Sequence, residues 1–311
     1  MNKNFNLDII MYHYIRPLDD TLFPNIKGLD LKKFKKQLEY LDKNYKIITH
    51  ENVIDAITIK KPLPKNSVWL TFDDGYKDHI EYAIPLLEEF GFYGSFFPSA
   101  KPLKEGKLLD VNAIHYILAS TSKIQNLLNL LKKNMIQLGY NKKDWEYYWN
   151  SIDKSSRYDQ PEVIFFKRLL QRELPENVRS KIITYIFEET IDVKETEFIN
   201  SLYMTMEDLK LINSKNHGIG SHSYSHSWLN KLNSDEQEKE IGVSIKFLKE
   251  LNVNIKNWMM CYPYGAYNKT TLNLLKKNGC SLGLTTVVGR AKLNEENKYL
   301  LPRFDTNDYP Q

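Results

Sequence analysis

The chain reads as an α/β protein built on a parallel barrel, with a helical stretch set into its middle. Two observations carry that reading. Short runs dense in apolar residues alternate with helical patterns at both ends of the chain, and the motifs richest in reactive side chains sit where those runs stop. Between 104 and 199 no strand pattern stands out and glycine is nearly absent. Repeated βα units with motifs at strand ends are the signature of a parallel barrel whose site lies on its C-terminal rim.

Taken in order, residues 8–12 predict a first strand that ends at His13. Leu31, Phe34, Leu38 and Leu41 follow a helical spacing. In Val68-Trp-Leu-Thr-Phe72 the apolar residues are dense enough for a buried strand, and Gly75 permits the sharp turn that ends it. Residues 83–91 predict a helix closed by glycine, followed by a strand over 94–97. Helical patterns over 113–131 and 163–189 flank the aromatic run Trp145-Glu-Tyr-Tyr-Trp149. The organisation expected is therefore a barrel from 1–103 and 200–311, with 104–199 as a helical insertion. That insertion either forms a lid or substrate-recognition wall, with Trp145, Tyr148 and Trp149 as contacts, or uses its aromatics to pack its own small core. After it come a helix over 206–213, a strand over 218–220 and a long helix over 234–251, for which Ser234-Asp-Glu-Gln237 supplies a capping box. A helix over 268–278, ended by Gly279, and a strand over 281–286 follow.

Composition narrows the function classes. With 42% hydrophobic and 26% charged residues, the 311-residue chain is an ordinary globular protein. Its excess of four positive charges is spread along the sequence, which predicts no nucleic-acid face. No run of 18 apolar residues occurs, and Asp8 interrupts the only candidate leader, so neither a membrane span nor a signal peptide is expected. Cys261 and Cys280 make no metal-type spacing and fit a reducing compartment. The expected location is the cytoplasm, or the periphery of the inner membrane. The sequence names no oligomeric state.

The chemistry lies in Thr71-Phe-Asp-Asp-Gly75 and His222-Ser-Tyr-Ser-His226. Neighbouring residues on a strand face opposite ways, so Asp73 and Asp74 can divide their tasks, one binding a metal and the other handling a proton. His222 and His226 lie on one face if the segment is a helical turn, close enough to chelate one ion. Two histidines and one carboxylate leave coordination positions open for water and substrate.

These segments, with Met11-Tyr-His-Tyr14, Tyr262-Pro-Tyr-Gly265 and Leu301-Pro-Arg303, make the chain similar to the polysaccharide deacetylase family (NodB homology, carbohydrate esterase family 4) over about 5–103 and 200–305. The resemblance implies a distorted (β/α) barrel and a metal-dependent hydrolase that removes an N-acyl group, N-acetyl first, from an amino-sugar in a bacterial surface-polysaccharide or glycan-precursor pathway. It implies that Asp73 is the general base, that Asp74, His222 and His226 hold a divalent ion (zinc, with cobalt or nickel as alternatives), and that the Tyr264 backbone N–H holds the oxyanion. His13, Tyr76 and Pro263 fall beside the substrate. His13 equally fits a core histidine bonded to backbone. Many members place an arginine two residues before the proline of Pro-Tyr-Gly, where this chain has Cys261; Arg303 is expected to supply that cation instead. The family's late Leu-x-His motif is absent, which leaves the proton donor open between a water on the metal, protonated Asp73 and His13. Two other readings remain: a barrel that binds glycan or a partner protein without turnover, and a deformylase or amidase acting on a non-polymeric substrate.

Overall fold

A computed structural model describes residues 5–311. Contacts divide them into two compact units. One comprises the residues up to Pro17, with Gly28–Lys107 and Ile199–Gln311; the other comprises Leu18–Lys27 and Leu108–Phe198.

The first unit is organised by mainly parallel strands, with Ala291–Lys292 running antiparallel beside Asn6–Tyr12. In chain order these are β1 (Asn6–Tyr12), the short β2 (Ile15–Arg16), β3 (Leu29–Asp30) and β4 (Lys46–Ile47), then β5 (Ser67–Asp74) and β6 (Gly94–Pro98). After residue 199 come β7 (Gly218–Ile219), β8 (Met259–Cys261), β9 (Leu282–Leu284), β10 (Ala291–Lys292) and β11 (Phe304–Asp305). β5 lies between β1 and β6, with Leu70 opposite both Ile10 and Gly94. All eight of its residues are buried, which is why its sequence reads as an apolar run and not as an alternation. The path continues from β6 to β7, and single bridges at Ser221–Met260 and Leu284–Leu301 carry it through β8 and β9. The segment that follows Leu301 returns to β1, where Phe304 pairs with Ile10. Single bridges stand where full ladders would close a regular barrel, so the (β/α) barrel is distorted.

Strand alternation splits the core in two. Ile9, Trp69, Phe97, Met259, Cys261, Leu282 and Leu284 form one cluster; Ile10, Tyr12, Leu70, Phe72, Phe96, Met260 and Tyr262 form another, against Phe34, Leu38 and Leu41 of the helix Leu31–Asn44. Asp73 shares the parity of Trp69 and so stands on the side of the first cluster.

Local differences from the sequence reading have simple causes. The long helix spans Ser234–Glu250 and is capped by Asn233, not Ser234: the Asn233 side chain accepts from Glu236 N–H, and the Glu236 carboxylate reaches back to Asn233 N–H. The helix read over 83–91 begins earlier, as a π turn over His79–Ala83 that runs into Ile84–Glu89. The strand read over 281–286 is reduced to Leu282–Leu284.

The second unit is helical, with Asp110–Ala119, Ile124–Gln137, Lys142–Ser151, Pro161–Arg168 and Glu176–Thr190. Ile114, Ile117, Phe165, Phe166, Leu169, Leu170 and Ile186 are its buried centre. Trp145 and Trp149 pack against Phe165 at 5.1 and 4.7 Å between ring centroids. Leu18–Lys27 joins this unit through Phe23, which meets Tyr116 edge-on at 5.0 Å. No sequence pattern marks that contribution.

His79 lies buried among Phe72, Tyr76 and Phe96, with Nε2 2.9 Å from the His13 carbonyl. Burial lowers its pKa from 6.5 to about 4. The unfolded chain therefore takes up a proton that the folded chain refuses, and the stability present above pH 6.5 is lost as pH falls toward 4. We predict that His79→Gln removes about 2–3 kcal/mol of that loss, read as the difference in urea-unfolding free energy between neutral pH and the acid end of this window.

Candidate active site

The site is built where β5 ends. Asp74 and Gly75 both adopt left-handed backbone, with φ 73° and 76°. A Cβ at Gly75 would lie 2.7 Å from Pro98 Cβ, so the turn against the end of β6 requires glycine. The left-handed conformation at Asp74 is a local cost held by its surroundings. Tyr76 donates its hydroxyl to Asp74 Oδ2 at 2.6 Å and stacks on Tyr14. Tyr76 is fully buried, so it lies behind the carboxylate and not on a substrate face. Asp74 Oδ1 has no hydrogen-bond partner among the described residues.

The two histidines converge on that oxygen, but not through a helical turn. Residues 220–228 form a loop in which Ser223 and His226 have φ near 60°. Backbone ties to the barrel shape it: Gly220 N–H donates to Phe96 O, Ser221 N–H to Met259 O, and His222 N–H to Pro98 O, at 2.9–3.1 Å. Ser223 Oγ accepts from His226 N–H, and Glu240 accepts from the N–H groups of Tyr224 and Ser225 and from Ser225 Oγ. His222 Nε2 and His226 Nε2 come to 3.4 and 3.2 Å from Asp74 Oδ1. His222 Nδ1 lies 2.8 Å from the Cys261 carbonyl, so Nδ1 carries the hydrogen and Nε2 presents a lone pair. Burial lowers the His222 pKa to about 4, which keeps that lone pair available at neutral pH. Two imidazole nitrogens and one unpaired carboxylate oxygen, all within 4.8 Å of one another, fit a divalent ion of zinc type.

Asp73 meets a different environment. Arg303 grips it with both arms, Nη1 on Oδ1 at 2.9 Å and Nη2 on Oδ2 at 2.7 Å. Arg303 Nε donates to the Thr285 carbonyl, which fixes the fork. Burial alone would raise the Asp73 carboxyl; the Arg303 guanidinium, helped by His222, outweighs it and brings the pKa to about 2. His13 Nε2 stands 3.9 Å from Asp73 Oδ2, with 36% of its side chain exposed. Cys261, fully buried, touches both Asp73 and Arg303 through Sγ. Pro263 is buried at the start of a short 3₁₀ turn, and Tyr264, φ 58°, places its ring 4.6 Å from His226 and stacks on Trp228.

The model of the family described as "Polysaccharide deacetylase" matches residues 60–113 and 175–283, more than half of the chain. The chain belongs to the polysaccharide deacetylase family. It is thus a carbohydrate deacetylase, a hydrolase whose family acts on N-acetylated carbohydrates. YxkH of Bacillus subtilis (strain 168), named for the same activity, is 21% identical over 302 residues, which cover 97% of this chain and 71% of YxkH. The deacetylase PplD of Streptococcus pyogenes, solved in complex with acetate, superposes with a TM-score of 0.58 at 18% identity, over 96% of this chain and 92% of that one. IcaB from Ammonifex degensii does so with 0.58 at 16%, over 98% and 93%. At such identities these two speak for the fold.

Glu240, Trp228 and the Cys261 contacts are absent from the sequence reading. Glu240 is one carboxylate among many on a long helix and carries no signal of its own. Cys261 had one: its place two residues before Pro263.

Arg303 and Asp73 are both essentially without solvent contact. Arg303→Met is expected to cost about 3–5 kcal/mol in urea unfolding, because it strands a buried carboxylate, while the double change Arg303→Met, Asp73→Leu recovers most of that loss.

Proposed function

We propose that this deacetylase is metal-dependent and removes the N-acetyl group from an amino-sugar unit of a bacterial surface polysaccharide or of its precursor. The observation that carries the reading is the buried group of Asp74, His222 and His226, with Asp73 held ionised beside it. The donor set, two nitrogens and one oxygen, suits zinc first and admits cobalt or nickel. When bound, such an ion supplies Lewis-acid polarisation of the acyl carbonyl and a water of lowered pKa.

The chain's own residues do the rest. Asp73 takes a proton as water attacks the acyl carbon; Arg303 keeps that carboxylate ionised and aimed. The backbone N–H of Tyr264 is assigned to the carbonyl oxygen as negative charge gathers there. The C–N bond then breaks, and the leaving nitrogen must gain a proton. His13 is assigned that delivery, passing on the proton that Asp73 took: its Nε2 lies 3.9 Å from Asp73 Oδ2, 36% of its side chain is exposed, and its own carbonyl is pinned by His79. Acetate and a free amine result.

Two measurements test the reading. Zinc titrated calorimetrically into the metal-stripped chain should bind one equivalent, and Tyr76→Phe, which frees Asp74 Oδ2, should weaken it about 10–100-fold. Acetate release from N-acetylated oligosaccharides and nucleotide-linked sugars, with formate release from N-formyl analogues as the contrast, should vanish in Asp73→Asn while bound metal persists. His13→Gln should lower kcat about a hundredfold. Undiminished release in Asp73→Asn overturns the assignment of the base.

A further inference from the structure

Asp73 receives three donors, not two. Besides the Arg303 fork, Cys261 Sγ lies 3.2 Å from Asp73 Oδ2. The same sulfur lies 3.0 Å from Arg303 Nη2. A thiol has one hydrogen, so the two contacts fix its direction: the guanidinium N–H donates to sulfur, and the S–H donates to Asp73. The backbone of Cys261 is pinned as well. Its N–H donates to Ser221 O at 2.8 Å, and its carbonyl meets His222 Nδ1 at 2.8 Å. One residue thus links the carboxylate, the guanidinium and the histidine loop, from a strand position whose side chain faces the barrel interior.

We propose that Cys261 is a positioning residue for the base, its S–H holding Asp73 Oδ2 while its carbonyl holds His222. A neutral donor here leaves Asp73 paired with one guanidinium, where an arginine at this position would bring a second. The inference rests on Asp73 being the base.

A rival reading uses the same atoms. Asp73, His222 and Cys261 also offer three ligand atoms within 4.8 Å, which a thiophilic ion would occupy. Arg303 argues against it, because a fixed cation in contact with the sulfur opposes a metal ion there.

The test compares Cys261→Ala, Cys261→Val and Cys261→Ser in the metal-loaded enzyme, by acetate release from an N-acetylated oligosaccharide. Loss of the donor in the first two should lower kcat about tenfold with KM and bound metal unchanged, and serine should restore most of it. Valine fills the thiol's volume, so it reports on the donor even if alanine unsettles the fold. The cobalt-loaded wild type should show no thiolate-to-cobalt absorption. Wild-type kcat in both Cys261→Ala and Cys261→Val overturns the proposal. So does a thiolate band, or loss of metal in all three variants, either of which makes the sulfur a ligand. Asp73→Asn in the same assay separates the failures: if it stays active, the assignment of the base is wrong, and if it is inactive while the Cys261 variants are normal, only the positioning role is.

Discussion

Two ionised carboxylates stand next to each other at the buried end of β5, and the architecture around them answers that charge. Isolated, each would be expelled or protonated, since burying an unpaired charge costs several kcal/mol. Asp73 is met by a guanidinium 230 residues away in sequence; Asp74 accepts the hydroxyl of Tyr76, two residues on, and faces two imidazoles about 150 residues away. The local chain gives Asp74 one donor, the Tyr76 hydroxyl; Asp73 is answered from afar. The Arg303 compensation exists only once the segment leading into β11 has returned to β1, and the histidines reach Asp74 only once the loop over 220–228 has docked on β6 and β8. The assembled strands and the charged site are one condition.

The pair also shows how a single peptide step separates roles. Alternation along β5 puts Asp73 on the side of Thr71 and Trp69, among the groups that Arg303, just before β11, and Cys261, in β8, bring to it. Asp74 escapes that alternation through its left-handed backbone and presents one oxygen to Tyr76 and the other to the histidines. One carboxylate is held firmly in its charged form; the other keeps an oxygen without a donor, where an ion can be received.

Much of this was legible in the residues. β5, the helix Leu31–Asn44 and the helix that opens near residue 234 follow from apolar spacing and caps, because those signals are local. The pairing of Asp73 and Asp74 with a histidine pair marked the site for the same reason: reactive side chains clustered in short motifs. What the sequence concealed is contact between distant segments. His222 and His226 meet at one oxygen because serine hydroxyls, left-handed residues and Glu240 shape a loop, while their spacing by four suggested a helix. The burial of Tyr76, the sulfur against Asp73 and the grouping of Leu18–Lys27 with helices a hundred residues on depend on packing that no window of sequence contains.

The order of pairing around β1 has a consequence for synthesis. β1 is made before its partners, which are β5 on one flank and, on the other, β10 at Asn6 and Leu7 and β11 at Ile10 and Met11. One flank can be covered soon after residue 74 leaves the ribosome; the other waits for residues 291 and 292, and then for 304 and 305. While residues 75–290 are made, then, an apolar strand offers one open row of N–H and C=O groups. The nascent chain carries that open edge for the whole interval, and a break in translation before residue 291 would leave it uncapped.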